Sequence, residues 1–374
     1  LKVLSFFELF WPYIGGGEVF GAKLMSDLQR YGHEVAVITS HDYLDLPDEA
    51  RYNNIPIYRL PFRAALKNGH VHQLAELCRR VKRLKLSFNP DVIHVNAVCP
   101  VSMLHLRTAH VTAAPVVLRM NQEALVDEMG KANTLTRQAL ESADWVCCVS
   151  SAVLAKLQSL FPAINGRSSV IHNGVELPTI VNDAVPVQAP RLLCLGRLVP
   201  AKGFDLAVAA LASIAARYPN LRMVIAGDGP ERAKMERQVA QLDLSRIVEF
   251  IGWVEPDRVL PLISTASIVL IPSWREGLPT VALQAGLMGR PIIATRVGGL
   301  PEVVLHHQTG LLCEKGDGGG IADAIAYLLD HPKRAVEMGQ EARRRVGENF
   351  LWERCVAAYD SLYRQLTSEG GYQC

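Results

Sequence analysis

Three charged side chains in the second half of the sequence stand where a phosphorylated ligand could use them. In "LGRLVPAKGFDLAV", Gly196 and Arg197 follow a short apolar run, and Lys202-Gly203 precede a helical stretch that begins near Asp205. Both cations fall at the end of one strand, where an arginine fork and a lysine point charge suit a pyrophosphate. The alternative is two solvated loop cations. In "PSWREGLPTVALQAG", Pro272 and Ser273 close a strand, Glu276 and Gly277 form a loop, and a helix starts near Thr280. Backbone N–H groups over Leu278, Pro279 and Thr280 would face an anion, helped by the helix dipole. Gln284 lies one turn further on the same face. In "VIAGDGPER", Gly227 and Gly229 bracket Asp228, and glycines there let a backbone approach a ligand.

A second glycine-rich stretch opens the chain. "SFFELFWPYIGGGEVFGAKL" holds Gly15, Gly16, Gly17 and Gly21 and almost spells a dinucleotide fingerprint. Such a fingerprint turns directly out of its strand, whereas here "ELFWPYI" intervenes. Glu18 would also meet the pyrophosphate with no cation to offset it. A flexible, anion-approaching loop before a helix explains the glycines better than a hydride-transfer site.

The elements that must hold these residues are short apolar runs separated by helical stretches. The first half offers strands at Lys2–Phe7, Glu34–Thr39, Val92–Val95, Val116–Met120, Trp145–Val149 and Val170–His172. The second offers Leu192–Leu195, Met223–Ala226, Val248–Ile251, Ile268–Ile271, Ile292–Thr295 and Leu311–Cys313. Runs rich in Val and Ile without polar alternation read as parallel strands covered on both faces. The expected fold is therefore α/β, with two Rossmann-like doubly wound parallel-sheet domains facing a cleft. "ELPTIVNDAVPVQAP", with Pro178, Pro186 and Pro190, reads as the linker between them.

Bulk properties narrow the function. A chain of 374 residues suits two domains, and 49% hydrophobic with 20% charged residues is ordinary globular composition. A net charge of +2 makes no case for nucleic-acid binding. The eight cysteines form no Cys-x-x-Cys pair and are too sparse for a disulfide scaffold, so they read as reduced and mostly buried. With no bilayer-length apolar run, and a first strand starting at residue 2, the expectation is a cytoplasmic protein.

Taken together and in order, "GRLVPAKGFD", "GDGPER", "FIGWV" and "PSWREGLPTVALQAGLMGRPIIATRVGGLPEVV" resemble the retaining family-4 glycosyltransferases of GT-B fold. The likeness extends to "VIHNGVE" and to "WERCVAAYDSLYRQL", which is similar to that family's last helix. It implies an acceptor-binding domain over 1–172, completed by a C-terminal helix at about 350–368, and a nucleotide-sugar-binding domain over 173–349. By the same resemblance, Arg197 and Lys202 match the diphosphate-binding pair, which would neutralise charge growing on the leaving group. Glu276 matches the carboxylate that orients donor hydroxyls, and these three are the candidate catalytic residues. Gly196, Gly229, Gly277, Leu278, Pro279 and Thr280 fall on the donor loops, and Trp253 and Val254 fall where the base lies. Gly16 and Gly17 match a loop that closes over diphosphate and acceptor.

The expected reaction moves a hexose or N-acetylhexosamine from a nucleotide diphosphate sugar, UDP-linked, to a hydroxyl of a glycan or lipid-linked saccharide. No cofactor is implied. The sequence contains no Asp-x-Asp to hold a metal, and Arg197 and Lys202 supply cations instead.

This chain departs from the family in two places. The second carboxylate position, eight residues after Glu276, holds Gln284, which both accepts and donates where a carboxylate only accepts. In "VVLRMNQEAL", a histidine of many relatives is replaced by Asn121, flanked by Arg119 and Gln122; "DVIHVNAV" likewise has Asn96 after His94, itself read as a buried strand-end histidine. The competing reading is a nucleotide-sugar-binding protein without transfer activity. "FFELFWPYI" offers Phe10, Trp11 and Tyr13 either to a sugar ring or to the core. In "HVHQLAELCRRVKRLKL", Val71, Leu74, Leu77, Cys78, Val81 and Leu84 form an apolar stripe. Arg79, Arg80, Lys82, Arg83 and Lys85 are placed on the remaining surface, suiting either peripheral contact with an anionic membrane or a routine solvated face.

Overall fold

The computed structural model describes residues 1–41, 44–69, 71–121, 135–178, 185–186 and 188–369. The chain divides into two compact units: Leu1–Ile171 with Cys355–Cys374, and His172–Arg354. Gln122 and linker residues 179–184 and 187 lie outside the described residues.

The first unit is built on eight strands: β1 (Lys2–Phe6), β2 (Glu34–Ser40), β3 (Glu49–Tyr52), β4 (Ile55–Leu60), β5 (Val92–Asn96), β6 (Val116–Met120), β7 (Trp145–Cys148) and β8 (Ser168–Val170). Their order in the sheet is β3-β4-β2-β1-β5-β6-β7-β8. Alternate residues explain the unbroken apolar runs. Leu4, Phe6, Ile38, Ile93, Val95 and Leu118 feed one core, while Val3, Val35, Val37, Val92 and Val117 are buried on the other face. A strand covered on both sides has no polar period to show.

Part of that cover comes from the end of the chain. The helix Trp352–Glu369 buries Tyr359 and Tyr363 completely. The Tyr363 hydroxyl lies 2.7 Å from His94 Nδ1 and Asp360 Oδ1 lies 2.6 Å from His33 Nε2. Burial pushes the His94 pKa down to about 3, so the ring is neutral, with Arg119 nearby acting in the same sense.

The second unit holds β9 (Arg191–Leu195), β10 (Arg222–Ala226), β11 (Val248–Gly252), β12 (Ile268–Ile271), β13 (Ile292–Thr295) and β14 (Gly310–Cys313). All pairs are parallel, in the order β11-β10-β9-β12-β13-β14, over a separate core that includes Leu192, Val208, Ile225, Leu270 and Ile325. In each unit the order reverses at one place, between β1 and β5 in the first and between β9 and β12 in the second. Open α/β sheets bind ligands beyond the carboxyl ends of the strands at that reversal.

Several expectations need correction. β3 and β4 form an antiparallel hairpin that the reading of all-parallel runs omitted. Its turn is Asn53-Asn54, at φ +48° and +68°, and the two left-handed residues match the twist of the flanking strands. β8 begins two residues before the expected Val170. Of the three opening aromatics, which the sequence offered either to the core or to a sugar ring, Phe10 and Tyr13 are buried as core residues and Trp11 is exposed.

The basic helix Val71–Phe88 is also corrected. Lys85 is fully buried, bonded to the Thr108 carbonyl at 2.9 Å. Arg79 and Arg83 pair with Glu76, and Arg80 pairs with Asp48 and Glu49. Val71, expected in the apolar stripe, is exposed. These surface pairs fit a solvated helix face, while Lys82 forms no ion pair among the described residues. Among the described residues no helix is long and apolar enough to cross a membrane.

Candidate functional site

The loops that follow β9 and β12 meet at the reversal of the second sheet, and they carry the three candidate catalytic residues. Arg197 leaves β9 after Gly196, and Lys202 ends the 3-10 turn Pro200–Lys202. Glu276 lies five residues beyond β12. Lys202 Nζ is 2.7 Å from Glu276 Oε1, and the same oxygen accepts from Ser273 Oγ at 2.6 Å. The pair is shielded, with side-chain exposures of 24% for Lys202 and 9% for Glu276. A charge-assisted bond in such a setting contributes about 1.5–3 kcal/mol. Glu276 Oε2 and the exposed Arg197 guanidinium have no hydrogen-bond partner among the described residues. The site thus combines a fixed cation–carboxylate pair with a free guanidinium and a free carboxylate oxygen.

Backbone contacts hold these loops together, and this explains where glycine is required. Trp274 N–H donates to the Ala201 carbonyl at 2.8 Å, joining the Lys202 turn to the Glu276 loop. Gly203 sits at φ +62°, and a Cβ there would lie 2.1 Å from the Pro272 carbonyl oxygen. On the far side, Gly299 N–H donates to the Gly277 carbonyl at 2.7 Å. A Cβ on Gly298, at φ +49°, would be 1.8 Å from the Glu276 carbonyl oxygen. Neither position admits a side chain without moving the catalytic loop. The loop after β10 is tied in similarly: Leu198 N–H donates to the Asp228 carbonyl, and Gly227 N–H to that of Gly252. Gly229, at φ +157°, packs against the Leu198 carbonyl.

The helix Thr280–Leu287 starts after Pro279 with no side-chain cap. Leu278, Thr280 and Val281 N–H groups have no acceptor among the described residues, whereas Pro279 has no N–H to offer and serves as the turn. Asn173 Nδ2 donates to the Leu278 carbonyl at 2.9 Å and braces this entrance from the start of the unit. The half-buried Gln284 amide, one turn on, has no partner among the described residues. Trp253 and Val254 follow Gly252 at the end of β11, with Trp253 exposed.

The structure thus gathers Gly196, Arg197, Lys202, Gly229, Trp253, Val254, Glu276, Gly277, Leu278, Pro279, Thr280 and Gln284 at one end of one sheet. Gly16, Gly17 and Asn121 belong to the first unit. Gly16 and Gly17 are the first turn of the helix Gly16–Arg30, with Gly15 as an uncapped N-cap in extended conformation. None of these glycines has a positive φ, and Gly16 and Gly17 lie within the helix itself rather than in the flexible loop expected before it. A Cβ on Gly16 or Gly17 would meet nothing within 4 Å. Asn121 follows β6, with its Oδ1 buried and unpartnered among the described residues.

Ser273 was missed as a site residue. It is fully buried, its hydroxyl orients Glu276, and its carbonyl accepts from Thr295 Oγ1 at 2.6 Å. A small hydroxyl three residues before a loop carboxylate was the available signal.

Comparison with known proteins identifies the family. The family model for glycosyl transferases group 1 matches residues 181–345, and that for Glycosyltransferase Family 4 matches residues 14–178. The N-acetyl-alpha-D-glucosaminyl L-malate synthase of Bacillus anthracis is 27% identical over 375 residues, covering 94% of each chain. Among solved structures, the sucrose-phosphate synthase of Thermosynechococcus elongatus superposes with a TM-score of 0.85 at 23% identity, covering 98% of this chain and 99% of its own. HepE of Anabaena, solved in complex with UDP and glucose, gives a TM-score of 0.76 at 19% identity, covering 97% and 99%. The two matched family models together span most of both units, and the chain belongs to the family-4 glycosyltransferases of GT-B fold, enzymes that transfer glycosyl groups.

Proposed function

We propose that this glycosyltransferase is retaining and metal-independent, and that it moves a hexose or N-acetylhexosamine from a UDP-linked donor to a hydroxyl acceptor such as a glycan or lipid-linked saccharide. The observation that carries the reading is the Lys202–Glu276–Ser273 cluster beside an unengaged Arg197 at the sheet reversal. The UDP and glucose held by HepE, and the N-acetylglucosaminyl group in the name of the Bacillus relative, favour this donor class.

In this account Arg197 and Lys202 hold the diphosphate, and the Leu278, Thr280 and Val281 amides take further phosphate oxygens. Glu276 Oε2 accepts from a sugar hydroxyl, Gln284 meets the ribose, and the backbone at Trp253 and Val254 borders the base. The bond between the anomeric carbon and the phosphate oxygen breaks as the acceptor oxygen attacks from the same face. The acceptor proton passes to that phosphate oxygen, which leaves on the nucleoside diphosphate. Charge grows on the diphosphate during this step, so a cation already fixed there lowers the barrier. No resident cofactor enters the scheme, and the first unit supplies the acceptor side.

The test is a thermal-stability panel with UDP, GDP, ADP, CDP and their sugar conjugates in EDTA, on wild type and Arg197→Ala. A ligand at a hundred times its Kd raises stability by about 2.7 kcal/mol, a readable shift. The proposal expects one nucleotide class to stabilise wild type and to lose that effect in Arg197→Ala. Stabilisation without turnover on any acceptor would favour the binding-only reading, and no stabilisation at all would refute both. The anomeric proton coupling of the product, read by NMR, tests retention.

A further inference from the structure

The opposite end of the second sheet carries charge that glycosyl transfer does not use. Arg191 and Arg222 are the first residues of β9 and β10 and stand directly opposite one another in the parallel ladder. Like charges in that position repel. Arg246, in the turn before β11, brings a third guanidinium to the same place. Together with Ser245 and Glu249 they line an open cavity of about 370 Å³, a volume within the range of small-ligand sites. β11 is the edge strand, so the cavity opens at the margin of the sheet.

The other contacts of these arginines are all neutral. Arg222 bonds the Pro219 and Leu221 carbonyls at 3.0 and 2.9 Å, and Arg191 bonds Thr265 Oγ1 at 3.4 Å. None of the three forms an ion pair with a carboxylate among the described residues. Three cations facing one carboxylate leave the cavity net positive. β9 is five residues long, so its two ends are separated by roughly 16 Å, and this cavity is distinct from the Arg197 end.

We propose that this cavity is a second anion site, which takes a phosphoryl group of about pyrophosphate size, either free or as a phospholipid headgroup. Guanidiniums of two strand starts and an adjoining turn that line one cavity can fork onto such a group, and the bound anion relieves the repulsion between Arg191 and Arg222.

Pyrophosphate titration by calorimetry in EDTA tests it, on wild type, Arg197→Ala and the double variant Arg222→Gln/Arg246→Gln. Arg222 and Arg246 are exposed, so the double variant is expected to fold, and circular dichroism checks that it does. Wild type should show a class of binding that survives Arg197→Ala and weakens at least about tenfold in the double variant. Sedimentation with phosphatidylglycerol–phosphatidylcholine vesicles separates the two sources. If the site reads a headgroup, pelleting of wild type is lost in the double variant; if it reads a free phosphate, only the calorimetric signal changes. The proposal is overturned if the double variant binds pyrophosphate and vesicles as wild type does, or if wild type binds neither. Failure of the Arg197 site would leave this result unaffected, because the two sites are read by different substitutions.

Discussion

Replacing Glu276 with glutamine should tighten the binding of a bare nucleoside diphosphate while slowing transfer. Lys202 Nζ lies 2.7 Å from Glu276 Oε1, and in the free protein the carboxylate offsets much of the lysine charge. An ammonium-to-phosphate bond of about 2.8 Å would put the carboxylate about 5.5 Å from a diphosphate held by Lys202. Two unit charges at that distance, with an effective dielectric constant of about 20, repel by about 3 kcal/mol. Salt and the partial exposure of Lys202 reduce this to about 1–2 kcal/mol, a factor of roughly 5–30 in affinity. Glutamine keeps an oxygen for Ser273 and Lys202, so the loop should hold its shape while losing the charge. Calorimetric titration of UDP into wild type and Glu276→Gln in EDTA, at low and high salt, reads the effect. A lower Kd in the variant, with the difference shrinking in salt, is expected, together with a reduced turnover rate. An unchanged or higher Kd at low salt would refute the reasoning, because Glu276 would then not be opposing the diphosphate.

Further expectations concern the framework. Gly298→Ala should cost about 1–3 kcal/mol in denaturant titration and abolish transfer, because a Cβ would press on the Glu276 carbonyl at a left-handed φ. Tyr363→Phe should cost about 1 kcal/mol by the same assay, since it leaves His94 Nδ1 buried without its partner. Burial lowers the Lys85 pKa to about 8 from the usual 10.5. The unfolded chain therefore binds more protons across that window, and wild-type stability should gain up to about 3 kcal/mol between pH 8 and 10.5 relative to Lys85→Met. A pH profile parallel in the two proteins would count against a charged, buried Lys85 below pH 8.

Much of the second sheet and its loops could be read from the sequence because their signals are local. Short Val- and Ile-rich runs mark strands buried on both faces, and Arg197, Lys202 and Glu276 stand just past strand ends. What escaped depends on distance or on a conflict between two local signals. The Lys202–Glu276 pair joins residues 74 positions apart, and no period in the chain encodes it. Lys85 follows Leu77 and Val81 at helical spacing and so falls on the buried face, yet its charge argued for the surface. The Asn53-Asn54 turn carried a local hairpin signal, and Pro56 within the following run disguised it. Gly16 and Gly17 misled in the other direction, since three adjacent glycines suggest a loop and here open a helix.

The most direct test of the account is the rate at which the saturated enzyme cleaves its donor, with water as acceptor and EDTA present, in wild type and Arg197→Ala. If Arg197 neutralises charge that develops on the leaving diphosphate, kcat should fall by about 10²-fold or more. An unchanged kcat with only a higher KM would contradict the central claim, because Arg197 would then hold the ground state and the transition state equally.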